Sequence, residues 1–214
     1  MGLLSFSEVS VLLQKYRIPY CNQQLCATLD DALTFAKKAK FPLAMKVISQ
    51  DIIHKSDAGG VVIGIANIGD LRNAYETMTL TLQKKFPAAK VEGILVQEMA
   101  EGTELIVGAK RDPTFGPVVL LGLGGIFVEV LKDVSFRVAP LTKTDAKAMI
   151  DELKAKKIFY GVRGKKPLNI DAVAAILASI SDIMVKNNTI QEIDLNPVIA
   201  DDKKAIAVDF RFIT

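Results

Sequence analysis

At 214 residues, with 50% hydrophobic and 24% charged, the chain is long enough for one large domain or two intimately packed lobes with an ample core. Its 27 basic residues alternate with 24 acidic ones for a net charge of +3, and only 7% of the chain is aromatic, which excludes the clustered basic stripe of a dedicated nucleic-acid surface. No apolar run is long enough to span a bilayer, and Met1-Gly-Leu-Leu-Ser-Phe-Ser-Glu8 lacks the basic and apolar regions of a signal peptide, so a cytoplasmic protein is expected.

Ser5-Phe-Ser-Glu8 is a capping box, and Phe6, Val9, Leu13 and Tyr16 follow at helical spacing, which predicts a helix over 6–16. Cys21 and Cys26 form C-x4-C with no second pair, which reads as reduced packing thiols. Thr28 with Asp31 caps a second helix running to Lys40 and stopped by Pro42; 43–48 and 61–65 have strand composition. A third helix is predicted over 70–85, with Leu71, Ala74, Tyr75, Met78 and Leu82 on one face, followed by a strand at 91–96. Further strands are predicted at 104–110, 118–121, 127–131 and 135–138. Thr142 with Asp145 caps a helix to about Lys156, and Asn169 precedes a longer one carrying Val173, Ile176, Leu177, Ile180 and Met184. Strands at 190–200 and 205–210 close the chain, and the whole reads as α+β.

Between the strands at 43–48 and 61–65 lies a polar loop holding His54, the only histidine. Gly59 and Gly60 let backbone N–H groups approach an anion, and Lys46 and Lys55 add point charges, so the loop suits phosphate. His54 can accept a phosphoryl group on a ring nitrogen, although a histidine in a polar loop is by itself more often a solvated surface residue.

The final hairpin carries a separate argument. If Asp202-Lys203 is a two-residue turn, residues whose numbers sum to 405 oppose each other. Ile193 then faces Phe212, Leu195 faces Phe210, Pro197 faces Val208 and Ile199 faces Ile206, an apolar side. On the other side Asp194 faces Arg211 and Asn196 faces Asp209, whose Cβ atoms would lie only about 5 Å apart. A carboxamide oxygen beside a carboxylate suits Mg²⁺ completed by substrate phosphates and water, with Glu192 a further or outer ligand and Asp194–Arg211 an ion pair.

The segment Asp51-Ile-Ile-His-Lys-Ser-Asp-Ala-Gly-Gly-Val61 closely resembles the nucleotide-binding loop of the ATP-grasp (beta) subunit of ADP-forming acetyl-CoA synthetases, the NDP-forming acyl-CoA ligases, and the likeness continues along almost the whole chain. The resemblance implies an ATP-grasp fold of two α+β lobes with the nucleotide cleft between them, a single domain over 1–214 with a small lobe at about 21–95 and a larger one of about 1–20 plus 96–214. It implies that His54 carries phosphoryl, that Lys46 contacts ATP phosphates, and that Gln97, Glu98 and Met99 form the adenine hinge through backbone hydrogen bonds, with a carboxylate at Glu98 or Glu104 on the ribose. Arg111-Asp-Pro-Thr-Phe-Gly-Pro117 and Gly122-Leu-Gly-Gly125 match family motifs too, placing Arg111 among the nucleotide contacts, and Arg163 matches another. Asn196-Pro and Asp209 match the family's magnesium ligands. The implied reaction is acyl-CoA + ADP + phosphate ⇌ acid + CoA + ATP, with ATP/ADP and Mg²⁺ held here. CoA binding and acyl transfer would belong to a separate alpha subunit, with which the chain would form a heterotetramer. Two other classes are a stand-alone ATP-grasp carboxylate ligase, needing no histidine carrier, and a non-catalytic nucleotide-binding module of a larger fused synthetase or acetyltransferase.

Overall fold

A computed structural model describes residues 2–49, 51–52, 55, 57–125, 133–162, 164 and 166–214. His54, the strand expected over 127–131 and Arg163 lie outside these residues. The chain divides into a small unit, Cys21–Met99, and a large unit, Met1–Tyr20 with Ala100–Thr214.

After α1 (Phe6–Lys15), which belongs to the large unit, the small unit runs β1 (Gln23–Cys26), α2 (Leu29–Ala36), β2 (Leu43–Ser49), β3 (Val61–Ile65), α3 (Ile68–Lys85) and β4 (Val91–Glu98). The four strands form an antiparallel sheet in the order β1-β4-β2-β3. Thr28 caps α2 in a full capping box with Asp31, and Asn67 caps α3 by accepting from the Asp70 amide. Leu71, Tyr75, Met78 and Leu82 of α3 and Ala32, Phe35 and Ala36 of α2 bury against Leu43, Met45 and Val47 of β2 and Ile94 and Val96 of β4. Both helices therefore cover one face of this sheet. The expected helix through Lys40 ends four residues earlier, at Ala36, in a turn where Lys38 and Ala39 donate to the Phe35 carbonyl. Cys21 and Cys26 are buried and in no disulfide, and burial pushes the Cys26 thiol up to about 11.

The large unit adds β5 (Thr103–Asp112), β6 (Gly116–Leu123), β7 (Val134–Val138), α4 (Lys143–Glu152), a 3₁₀ turn (Lys156–Ile158), α5 (Ile170–Lys186), β8 (Glu192–Ala200), β9 (Ala205–Ala207) and β10 (Phe210–Ile213). Its antiparallel sheet runs β10-β8-β5-β6-β7, with β9 also on β8. One face packs Leu105, Val107, Val119, Leu121, Ile193, Leu195 and Phe212 against α1, α4 and α5. With side chains alternating along each strand, Glu104, Ile106, Gly108 and Lys110 of β5 point to the opposite face, where Gly108 opposes Asp194 and Lys110 opposes Glu192. No helix among the described residues is long and apolar enough to cross a membrane.

Candidate functional site

Each unit presents its own set of candidate residues. Lys46 sits mid-strand in β2, opposing Leu95 of β4 and Val61 of β3, while Ala44 opposes Gln97. Alternation puts Ala44, Lys46, Leu95 and Gln97 together on the sheet face that α2 and α3 leave uncovered. Gln97 is 1% exposed, and its Nε2 donates to Oε1 of Gln23, its partner across the β1–β4 ladder, at 2.6 Å.

The end of β4 is held by long-range hydrogen bonds. Oε1 of Glu98 accepts from the Asn22 side-chain amide at 2.7 Å and from the Lys40 backbone N–H at 2.9 Å, partners 76 and 58 residues away that periodicity could not reveal. The Glu98 N–H donates to the Asn22 carbonyl and the Met99 N–H to the Pro42 carbonyl, at 2.9 and 3.2 Å. The Met99 sulfur accepts from the Gly64 amide at 3.2 Å. This strand end is pinned by contacts of its own unit, and the amides of Glu98 and Met99 are engaged there.

The glycine pair after the loop also differs from expectation. Gly59 adopts φ 76°, in the left-handed region that glycine favours. Gly60 donates its N–H to the Lys55 carbonyl at 2.7 Å and accepts from the Val47 amide at 2.8 Å. A Cβ on Gly60 would lie 2.4 Å from Cγ1 of Val47. Gly59-Gly60 is thus a tight turn packed on β2, and the Gly60 amide closes that turn in place of cradling an anion. Lys55 is half-buried on the same turn.

In the large unit the hairpin register holds throughout. Ile193 pairs Phe212, Asp194 pairs Arg211, Leu195 pairs Phe210 and Ile199 pairs Ile206, and the Asn196 amide donates to the Asp209 carbonyl at 3.1 Å. The Asp201 N–H donates to the Lys204 carbonyl at 2.9 Å, closing a turn centred on Asp202-Lys203. The continuous apolar side, however, does not exist. Ile193 and Leu195 face the core, but beyond them Val198 and Ala200 do, and Ile199 lies on the other face with Glu104. The cause lies on the opposite edge of β8. Leu195 pairs Val107 while Val198 pairs Leu105, so Asn196 and Pro197 together oppose Ile106 in a β-bulge that reverses the alternation. Asn196 is one of the two bulged residues and is exposed. β9 and β10 also break at Val208-Asp209, directly opposite.

Around this bulge the charge is acidic. Asp194 has its carboxyl raised above the usual carboxylate range, by burial first, with Arg211 opposing the shift and the neighbouring Glu192 and Asp209 carboxylates adding to it. Arg211 reaches Glu192 at 3.5 Å and Asp194 at 4.0 Å. Oδ1 of Asp209 accepts from the Phe210 amide at 2.9 Å, fixing its rotamer. Among the described residues no group of three or more His, Cys, Asp or Glu side chains is arranged to hold a metal alone. A carboxamide and a carboxylate amid excess negative charge fit an ion such as Mg²⁺, which takes few protein ligands and keeps water and phosphate oxygens.

Glu104 is exposed on β5, and the Gly122-Leu-Gly-Gly125 motif packs beside it. Arg111 lies elsewhere. Its Nη2 donates to the carbonyls of Met184, Asn187 and Ile190 at 2.8, 3.4 and 3.3 Å, and its Nε to Ile190 at 3.4 Å. It caps the C-terminal end of α5, a favourable place for a cation, in place of the expected nucleotide contact.

The family model for the ATP-grasp domain matches residues 1–214. The chain is 46% identical over 207 residues to the beta subunit of acetate–CoA ligase [ADP-forming] I of Pyrococcus furiosus, covering 96% of this chain and 89% of that subunit. It is 42% identical over 213 residues to acetate–CoA ligase [ADP-forming] I of Archaeoglobus fulgidus, covering 99% of this chain but only 31% of that protein. Structures of the dinucleotide forming acetyl-coenzyme A synthetase 1 of Ca. Korarchaeum cryptofilum superpose with high scores. One, in complex with coenzyme A, Ca-AMPCP and HgCl+, gives a TM-score of 0.93 at 44% identity, covering 99% of this chain and 93% of that one. Another, with coenzyme A and Mg-AMPPCP and its phosphohistidine segment pointing towards the nucleotide binding site, gives 0.85 at 39%, covering 99% and 92%. The chain belongs to the ATP-grasp family and, within it, groups with the beta subunits of ADP-forming acetate–CoA ligases.

Proposed function

We propose that this chain is the nucleotide-handling beta subunit of an ADP-forming acyl-CoA ligase, moving phosphoryl between ADP/ATP and His54 in acyl-CoA + ADP + phosphate ⇌ acid + CoA + ATP. The observation that carries this reading is the end-to-end likeness to a beta subunit, including the segment around His54. In the direction of ATP use, a neutral imidazole nitrogen of His54 attacks the γ-phosphorus, the bond to the ADP oxygen breaks in line, and ADP leaves. Lys46, fixed in β2, offsets the negative charge of the γ-phosphoryl oxygens. Gln97, Glu98 and Met99 shape the base-binding strand end, Glu98 acting through its hold on Asn22 and Lys40. Glu104 takes the ribose hydroxyls.

Asn196 and Asp209 would hold Mg²⁺, which supplies charge neutralisation on the phosphates when bound. The excess of carboxylates at Glu192, Asp194 and Asp209 over the Arg211 and Lys110 cations supports that assignment, because a bound cation relieves the repulsion that adds to the burial raising Asp194. CoA binding and acyl-phosphate chemistry fall to an alpha subunit, with which the chain assembles as a heterotetramer in the cytoplasm. Mass spectrometry of the chain after incubation with Mg-ATP is expected to find phosphate on His54. His54→Ala is expected to abolish phosphoryl exchange with the alpha subunit while leaving nucleotide affinity within about threefold, since only the attacking nucleophile is lost. Normal turnover by that variant refutes the carrier role.

A further inference from the structure

The face of the small sheet that α2 and α3 leave uncovered holds one polar group that nothing among the described residues satisfies. Gln23 of β1 opposes Gln97 of β4, which opposes Ala44 of β2, and two residues further along Leu25, Leu95 and Lys46 line up in the same way. Alternation puts these six side chains on one face. Oε1 of Gln23 accepts from Nε2 of Gln97 at 2.6 Å. The other end of the Gln23 amide, Nε2, is buried with no acceptor, and among the described residues no other buried side-chain nitrogen or oxygen lacks a partner.

A buried amide donor with nothing to donate to is costly, and folded chains keep few of them. Its surroundings indicate what would accept from it. Leu25, Leu95 and Ala44 make the face around the glutamine pair apolar, and an apolar floor with a few convergent polar groups is how proteins hold a flat, small ring. The backbone at this strand end is already engaged, the Glu98 N–H by the Asn22 carbonyl and the Met99 N–H by the Pro42 carbonyl. A ring arriving there therefore takes its amide donor from a side chain. Lys46 marks the far end of the same face. It lies two strands and two residues from Gln23, about 12 Å at ordinary sheet spacings, so phosphates at Lys46 and a base at Gln23 are separated as they are in one extended nucleotide.

We propose that Gln23 reads the base of the bound nucleotide, its Nε2–H donating to a ring nitrogen, N7 or N1, on the edge of adenine that carries the amino group. This rests on the reading of the chain as a nucleotide-handling subunit and adds to it a residue that recognises the base. N7 and N1 flank the amino group on either side and both accept in adenine. Gln97 is the positioning residue, because its donation to Oε1 of Gln23 fixes which end of that amide is left for the ligand.

Calorimetric titration of the full chain with ADP, 7-deaza-ADP and 1-deaza-ADP tests this, since each analogue replaces one acceptor nitrogen with C–H. The wild type is expected to bind at least one analogue about tenfold more weakly than ADP, as the loss of a hydrogen bond from a buried donor requires. Gln23→Glu keeps an oxygen for Gln97 and removes the donor. It is expected to bind ADP about tenfold more weakly and to bind ADP and one penalised analogue within about twofold of each other. A glutamine that merely packs the strand predicts a different pattern, in which the variant weakens all three ligands alike and keeps the wild-type ratios. Ratios unchanged in Gln23→Glu overturn the proposal. So does a wild type that binds both analogues as tightly as ADP, a result that needs no folded variant. Failure of the wild type to bind ADP overturns the nucleotide reading as well, whereas ADP binding with unchanged ratios overturns the role of Gln23 alone.

Discussion

Gly124 rests directly on Glu104: its N–H donates to the Glu104 carbonyl at 2.7 Å, and a Cβ on Gly124 would lie 2.8 Å from that of Glu104. The glycine motif after β6 is therefore a close-packing device beside a candidate ribose ligand. Gly124→Ala is expected to destabilise the chain by about 1–3 kcal/mol, as overpacking does, and to weaken nucleotide binding through displacement of Glu104. Urea denaturation and nucleotide titration of the same variant check both effects; wild-type affinity would separate Glu104 from the nucleotide.

Arg111 offers the opposite pattern. Arg111→Met leaves the carbonyls of Met184, Asn187 and Ile190 without their shared donor and is expected to cost about 2 kcal/mol. Arg111→Lys is expected to recover little, since one ammonium cannot reproduce the guanidinium fork. Thermal melts report the loss, and nucleotide affinity is expected to stay at the wild-type value.

Nucleotide with Mg²⁺ at one hundred times its dissociation constant should stabilise the chain by about 2.7 kcal/mol. Asp209→Asn keeps an oxygen that can accept from the Phe210 amide, so it is expected to fold normally and to lose the Mg²⁺-dependent part of that stabilisation. Melts run with nucleotide plus Mg²⁺ and with nucleotide plus chelator isolate it; an equal Mg²⁺ response in both proteins removes Asp209 from the metal site.

Asp194 sets a pH dependence of definite sign. Its folded-state carboxyl is raised by burial and by the Glu192 and Asp209 carboxylates, so the folded chain holds this proton more tightly than the unfolded one. The favourable contribution is present below the unfolded carboxylate value and is lost as pH rises through the raised folded value. Asp194→Asn, which cannot ionise, is expected to melt higher than wild type at pH 7, with the gap narrowing towards pH 4. Melting curves across that range decide; a gap that widens on acidification contradicts the burial argument.

The parts of the fold that follow from neighbouring residues were legible in the sequence. Ser5, Thr28 and Thr142 announce their helices because a capping box is a four-residue device, and all three form one. The hairpin register follows from a two-residue turn alone. What could not be read depends on distant partners. β1, with Gln23 and Gln24 in succession, carries no strand pattern and exists because Gln23 to Cys26 pair with β4. The reversal of the apolar side at Asn196-Pro197 comes from β5, about ninety residues away in sequence, whose Ile106 meets two residues at once. Arg111 has the composition of a phosphate ligand, and only tertiary structure reveals that it faces a helix end. At the site, Lys46 and the Asn196/Asp209 pair were visible as chemistry, whereas Asn22 and Lys40 behind Glu98 are backbone or amide partners that no motif marks.

Both cysteines of the chain, Cys21 and Cys26, belong to the small unit, and both are buried. With its thiol pushed up to about 11, Cys26 is almost wholly protonated at pH 8 and shielded from reagents while the unit stays closed. Labelling of Cys26, which lies in the core of the small unit, thus gives an intrinsic clock for the opening of that core.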